Sequence, residues 1–281
     1  MRIVSLSLVG LCLAVFAGPA PAAASYDGCT ETIKSLPAVI TTQGTWCLES
    51  DFSTSMATGS AITIAANNIT IDCNGHKLGG ISAGTSTLAT GIGATGRLNA
   101  TVRDCTIRGF AWGVNLGGFG HLVEDSTFDV NRIAGIQVVG GDAVIRRNRI
   151  VNTGGHAVST AASAITVTGT SDIVDNSIVG VATVDGLTAA TGIFQAAGPG
   201  GTVARNRIHL TAAQPMSIGI MSFGSGPVSL LGNDVLGAGS GSGIICTAGA
   251  VLASRNVVTG FDTPAIDCED AGDNDFVPPG S

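Results

Sequence analysis

Ile145-Arg-Arg-Asn148-Arg-Ile150 returns with the same spacing as Ile173-Val-Asp-Asn176-Ser-Ile178, Val203-Ala-Arg-Asn206-Arg-Ile208 and Leu230-Leu-Gly-Asn233-Asp-Val235. The phrase is an aliphatic, two variable residues, Asn, one more residue and an aliphatic. Upstream it reads Val102-Arg-Asp-Cys105-Thr-Ile107 and Val123-Glu-Asp-Ser126-Thr-Phe128, with a small residue in place of Asn. A worn copy, Ala253-Ser-Arg-Asn256-Val-Val258, closes the series, and the steps from 105 to 256 are 21, 22, 28, 30, 27 and 23 residues. A second phrase, small residue then aliphatic, travels with it as Gly113-Val114, Gly135-Ile136, Ala157-Val158, Gly192-Ile193, Gly219-Ile220, Gly243-Ile244 and Ala265-Ile266.

Self-similarity at such a period signals a solenoid, in which each unit packs mainly on its neighbours. The units are Val, Ile and Thr punctuated by Gly, Asn and Asp, which reads as short strands joined by tight turns. No unit has the composition or room for a helix. Strands that run the same way in every unit stack in parallel, and parallel crossovers are overwhelmingly right-handed. The expected fold is therefore all-β, a right-handed parallel β-helix over 51–268, with a short N-terminal cap at 25–50 and an acidic tail at 269–281.

The composition agrees. The chain has 281 residues, 12% charged and 4% aromatic, with 41 Gly, and reads as one domain. An apolar fraction of 44% and a mean hydropathy of +0.43 suit a fold whose coils turn every second residue toward a shared interior. Residues 1–24 read as a secretory signal peptide: Arg2, an apolar run from Ile3 to Ala17, then small residues ending at Ala24. The run is short for a membrane anchor. Removing it leaves 12 basic against 20 acidic residues, a net charge of −8. With no broad basic patch, that balance argues against nucleic acid as a partner. No later stretch is long and apolar enough to span a bilayer. The expected destination is secreted or periplasmic.

Export gives the cysteines their meaning. Cys12 leaves with the signal, and Cys29, Cys47, Cys73, Cys105, Cys246 and Cys268 remain. Aligning Gly243-Ile-Ile-Cys246 on Ala265-Ile-Asp-Cys268 puts two thiols in one column of adjacent coils, within disulfide reach at the usual strand spacing. Stacked free thiols are the alternative there. Cys73 with Cys105, and Cys29 with Cys47, complete the expected pairing.

Ile62-Thr-Ile64 and Ile69-Thr-Ile71 alternate with the period of strands, and Asn74-Gly75 marks a tight turn. The run Cys29…Leu36-Pro37…Ile40…Gly44-Thr-Trp46-Cys47-Leu48, followed by Ile69-Thr-Ile71-Asp-Cys-Asn74-Gly75-His76, resembles the opening of secreted right-handed β-helix repeat proteins of the pectate-lyase-like superfamily. The resemblance spans nearly all of the mature chain. It implies the fold, and a superfamily whose members include polysaccharide lyases, hydrolases, epimerases and tailspikes. Fold does not imply function.

Stacked Asn side chains are expected to form a ladder inside one turn, because buried amides need partners. The residue before the Asn column reads Asp104, Asp125, Arg147, Asp175 and Arg205 on successive coils. Lyases of this superfamily use carboxylates, often through calcium, together with an arginine. Hydrolases need two carboxylates flanking the scissile bond. Asp104, Asp125, Arg147 and Asp175 are thus the catalytic candidates, with Arg149, Arg205, Arg207 and Trp112 as substrate-binding ones. The competing reading is an alternating-sign ladder on a solvated edge. His156 is expected one position from the small-residue column, as Trp112 is. Asp267, Glu269, Asp270, Asp273 and Asp275 match no calcium loop and read as a charged end that discourages further strand stacking. Extra residues are placed at 160–170, 181–191 and 211–217. In solenoids such insertions gather on one face, often the binding face. Two readings stand: a protein associated with extracellular polysaccharide, cleaving it or not, and a non-catalytic structural or adhesin-like surface β-helix.

Overall fold

Val, Ile and Thr at alternate positions, broken by Asn, Asp and Gly at each corner, fold every repeat into one coil of three short strands. The computed structural model describes residues 28–277 apart from 160, 197, 199, 225 and 248–250; the segment 1–24, with its expected signal peptide, lies outside them. In the coil that begins the phrase at Val102, the strands are Thr101–Arg103, Thr106–Arg108 and Trp112–Phe119. Each pairs in parallel with its counterpart one coil on: Val102 with Val123, Ile107 with Phe128, Val114 with Ile136. Three sheets of eleven, ten and ten strands result. Sheets 1, 2 and 3 are numbered here in the order one coil visits them.

Sheet 1 runs from Glu31–Ile33 to Glu269–Asp270, sheet 2 from Phe52–Ser53 to Asp275–Phe276, and sheet 3 from Ala38–Ile40 to Thr263–Ile266. Strand pairing therefore begins before residue 51 and continues past 268. The opening segment is already paired in sheets 1 and 3, and the acidic end adds one more strand to each of sheets 1 and 2.

Inward side chains form three aliphatic columns. Val102, Val123, Ile145 and Ile173 stand on sheet 1, Ile107, Phe128, Ile150 and Ile178 on sheet 2, and Val114, Ile136, Ile165 and Ile193 on sheet 3, all 0% exposed. Burying each such side chain contributes about 1.5–3 kcal/mol relative to leaving it in water, which makes this core the main stabilising element.

Where the chain enters sheet 3, the residue before the aliphatic must be small. A Cβ on Gly219 would lie 2.5 Å from the carbonyl oxygen of Gly243 and 2.3 Å from the Val235 side chain. Two members of this column differ from expectation. Ile136 pairs with Ile165 and Ile165 with Ile193, so Ala164-Ile165 fills the coil assigned to Ala157-Val158, and Val158 is 77% exposed in a loop. Ile244 pairs with Ala265, so Pro264-Ala265 replaces Ala265-Ile266. In both places spacing alone picked out a small-aliphatic pair displaced by the local loop length.

The Asn ladder stands at the corner between sheets 1 and 2. Each Nδ2 donates to the next Oδ1: Asn148 to Asn176 at 3.1 Å, Asn176 to Asn206 at 3.0 Å, Asn206 to Asn233 at 3.0 Å and Asn233 to Asn256 at 2.9 Å. The same oxygens accept backbone N–H groups, and each Nδ2 also donates to a carbonyl near the preceding rung, as Asn206 does to Ile173. Ser126 and Cys105 continue the column upstream. One rung escaped the sequence reading: Asn256 Nδ2 donates to Asn274 at 2.9 Å. That step is shortened to 18 residues, although Ala271-Gly-Asp-Asn274-Asp-Phe276 keeps the phrase.

The three disulfides pair Cys29 with Cys47, Cys73 with Cys105 and Cys246 with Cys268. The last bridges positions one residue off register, since Ile245 pairs with Ile266, at a Cα separation of 4.9 Å. Disulfides in this number suit an oxidising compartment. Among the described residues no helix is long and apolar enough to cross a membrane.

His121, 1% exposed at the corner from sheet 3 back to sheet 1, accepts the Ala100 N–H on Nδ1 at 3.2 Å. Burial pushes its pKa below the ordinary 6.5, against the opposing effect of its backbone contacts. The unfolded chain then binds the proton more readily, so stability rises with pH up to about 6.5 and falls as pH drops below it. Urea midpoints collected from about pH 5 to 8 should show this slope, and His121→Gln should flatten it.

Candidate functional site

Asp104, Asp125, Arg147, Asp175 and Arg205 all occupy the residue that turns the chain from sheet 1 into sheet 2, with φ between +50° and +58°. This left-handed conformation is natural for Asp and uncommon for Arg. The arginines are clamped in it. Arg147 makes a two-pronged pair with Asp125 at 2.7 and 2.6 Å, and Arg205 one with Asp175 at 2.7 and 2.8 Å. Beside them on sheet 1, Glu124 holds both Arg146 and Arg147, and Asp72 holds Arg103 at 2.8 Å. Hydrogen bonds from Arg147 hold the Asp125 carboxyl below its usual range, and those from Arg205 do the same to Asp175. The same bonds push both guanidinium pKa values up.

These shifts bear on chemistry. Carboxylates held ionised by paired arginines are poor proton donors, and guanidinium groups whose pKa is raised give up a proton less readily and so are less available as bases. The calcium that the resemblance would give a lyase does not fit either. Asp125 and Asp175 are occupied by guanidinium groups, and among the described residues no three His, Cys, Asp or Glu side chains converge.

The other candidates lie elsewhere. Arg149 and Arg207 project from the outer face of sheet 2, each just past the ladder. Trp112 opens a sheet 3 strand, opposite Thr90 and Ala134. The eight candidates thus divide among one corner and two faces. His156 is not the equivalent of Trp112; that column continues through Ala134 to Ser163.

The long connections are 155–161, 183–189 and 210–216, all at the corner between sheets 2 and 3. The interval 160–170 takes in all of strand Ala162–Thr168, whose Ala and Thr content reads like loop, while 181–191 overlaps only the end of Ser177–Ala182 and the start of Ala190–Ala196. A further long connection, 80–89, was not anticipated. It reaches three coils along to 155–161, where the Ala157 N–H donates to the Thr85 carbonyl at 3.0 Å. His156, 4% exposed, fastens the contact. Its Nδ1 accepts the N–H groups of Val158 and Ser159, so Nε2 carries the hydrogen and donates to the Thr87 carbonyl at 3.1 Å.

The 155–161 loop, through Ser159 and Ala161, walls one side of a groove on the outer face of sheet 3. Its floor is a column of small and amide side chains on successive coils: Thr63, Gly93, Asn115, Gln137 and Thr166. The column parallel to it is Ser60, Thr90, Trp112, Ala134 and Ser163. A depression of about 410 Å³ around Asn115 and Arg97 adjoins one of about 250 Å³ around Trp112 and Gln137. Arg97 arrives there through a β-bulge. The register shifts between Leu116 and Gly118, and Gly118, at φ +134°, pairs with Arg97 so closely that a side chain there would strike the Arg97 backbone. Bulges re-aim side chains. The Arg97 Nε is buried without a partner. The groove offers hydroxyls, amides, one indole and one guanidinium. Among the described residues lining it there is no Asp, Glu, His, Lys, Cys or Tyr. Only Trp112 had been singled out from sequence. Arg97, Asn115 and Gln137 lacked a signal, because their column is set by coil lengths that vary.

Comparison with known proteins supports the fold and no more. Dettilon tailspike protein is 15% identical, covering 89% of this chain and 57% of its own, with a TM-score of 0.46. A DFA-IIIase mutant from Arthrobacter chlorophenolicus A6, in complex with DFA-III, is 11% identical over 76% of this chain and 60% of its own, with a TM-score of 0.48. The alginate lyase AlyF-OU02 with G6 is 14% identical over 84% of this chain and 56% of its own, with a TM-score of 0.40. The chain therefore spans less than two thirds of each. No curated protein matches it. The family described as "Right handed beta helix region" matches residues 38–191, more than half of the sequence, and the chain belongs to that family.

Proposed function

We propose that this is an exported protein that binds an extended polysaccharide along the outer face of sheet 3, without cleaving it at the Asp/Arg corner. The observation that carries the reading is the groove lining: hydroxyls and amides that exchange hydrogen bonds with sugar hydroxyls, the face of Trp112 for stacking, the Arg97 guanidinium, whose Nε has no partner, for a sugar carboxylate, and, among the described residues, no Asp, Glu, His, Lys, Cys or Tyr. Arginine is suited to carboxylates because its fork matches both oxygens. The paired state of Asp125, Arg147, Asp175 and Arg205 favours a structural role for that corner. The alternative of a purely structural surface helix does not call for an indole and a guanidinium set among amides and hydroxyls on one face.

Isothermal titration with oligouronates and with neutral oligosaccharides tests the proposal. Arg97→Ala is expected to weaken the uronate about tenfold or more, since a hydrogen bond to a charged group contributes about 1.5–3 kcal/mol. Trp112→Ala should weaken both classes. Incubation with the same polymers should release neither unsaturated nor reducing ends. Release that disappears in Asp125→Asn would overturn the reading in favour of an enzyme at the corner.

A further inference from the structure

Sheet 2 presents its own outward columns, and they differ in character from the groove. Lys77, Thr106, Thr127, Arg149, Ser177 and Arg207 follow one another across six coils. The inward residues beside them are buried aliphatics and Phe128, so these six face solvent. Two depressions lie along the strip, one of about 390 Å³ bordered by Lys77, Arg108 and Arg149, the other of about 260 Å³ bordered by Arg207 and His209. Val179 lines both, which makes them one continuous trough.

The cations here are held differently from those at the corner. Arg149 is exposed and has no carboxylate partner among the described residues. Arg207 stands 3.6 Å from Asp234, beyond hydrogen-bond length, and its side chain is 81% exposed. Arg108 reaches Asp129 through one Nη2 at 3.2 Å, while its Nε is buried without a partner. Lys77 is paired with Asp51 at 3.0 Å. At the usual strand spacing Arg149 and Arg207 sit about 10 Å apart, with the hydroxyl of Ser177 between them. Long, loosely paired cations separated by hydroxyls on a flat sheet are complementary to a linear polymer that carries anionic groups at intervals and hydroxyls in between.

We propose that this trough is a second binding surface, for a carboxylated or sulfated glycan chain lying along the helix axis, with Arg149 as its central contact. The occupant is a glycan rather than a nucleic acid, because the whole chain carries a net charge of −7 and the strip is interrupted by Asp129 and Asp234.

The test uses the full mature chain carrying Arg97→Ala and Trp112→Ala, so that the groove of sheet 3 is silenced. Dextran sulfate and alginate are expected to bind this variant and unmodified dextran is not, with affinity falling steeply as salt is raised. Adding Arg149→Ala should weaken both polyanions about tenfold, adding Arg149→Lys should restore most of the loss, and neither should move the melting temperature. Unchanged affinity in Arg149→Ala, equal binding of unmodified dextran, or tighter binding of single-stranded DNA than of either glycan would each overturn the proposal. Should the silenced groove leave uronate binding as in the wild type, the groove reading fails while the Arg149 result still decides this one.

Discussion

Asn206→Ala is expected to lower stability by about 3–5 kcal/mol, which for a chain of this size is a fall of roughly 10 °C in melting temperature. The side chain is 0% exposed and makes four hydrogen bonds. Its Oδ1 accepts the backbone N–H and the Nδ2–H of Asn176, and its Nδ2 donates to the Ile173 carbonyl and to Asn233. Alanine removes all four and leaves buried partners on two neighbouring coils unsatisfied, each at a cost of the order of 1–3 kcal/mol if nothing replaces it. Partial relaxation, or a water in the space vacated, keeps the total below the simple sum. Asn206→Asp should also destabilise, since a carboxylate cannot donate to Ile173. Thermal unfolding followed by circular dichroism measures both. A loss below about 1 kcal/mol in Asn206→Ala would mean that the ladder accompanies the fold without supporting it.

That ladder was legible in the sequence for a physical reason. A buried amide needs hydrogen-bond partners, and here each rung supplies them to the next, so Asn148, Asn176, Asn206, Asn233 and Asn256 recur in step with the coil. The aliphatics around them recur for the same reason, and together they specify the helix. Asn274 carries the phrase as Ala271-Gly-Asp-Asn274-Asp-Phe276 but stands only 18 residues after Asn256, a step shorter than any other in the series. The corner column of Asp104, Asp125, Arg147, Asp175 and Arg205 could be aligned, but alignment says only that these residues stack. Whether the charges face a ligand or each other depends on side-chain geometry, and here the two-pronged pairs close them on each other. The groove lay further from reach. Its floor joins Thr63, Asn115, Gln137 and Thr166 across coils of unequal length, its wall is the 155–161 loop that 80–89 holds from behind, and Arg97 enters through a bulge. None of these leaves a periodic trace.

Gly219→Val carries the second large effect, an expected loss of about 3 kcal/mol or more. Overpacking a filled core costs about 1–3 kcal/mol when side chains can move aside. At this position the obstacle is partly backbone, because a Cβ would stand 2.5 Å from the Gly243 carbonyl oxygen. The Val235 side chain, 2.3 Å away, is itself 1% exposed and has nowhere to retreat. Gly219→Ala should be milder than Gly219→Val, since Ala164 holds the equivalent place two coils earlier, showing that a coil can be built around one methyl group there. Urea unfolding of the two variants should rank them in that order. Equal stability of Gly219→Val and wild type would contradict the close approach of successive coils at this corner.

The central claim is that a glycan lies on sheet 3 across Trp112, and Trp112 itself can report on it. The chain has two tryptophans, Trp46 and Trp112, so Trp46→Phe leaves the groove indole as the single emitter. Titrating that variant with an oligouronate is predicted to give a saturable change in emission, with an affinity that drops in Arg97→Ala and is untouched by Asp125→Asn. Binding that persists with no change in Trp112 emission, or that is lost with Asp125→Asn and kept with Arg97→Ala, would contradict it.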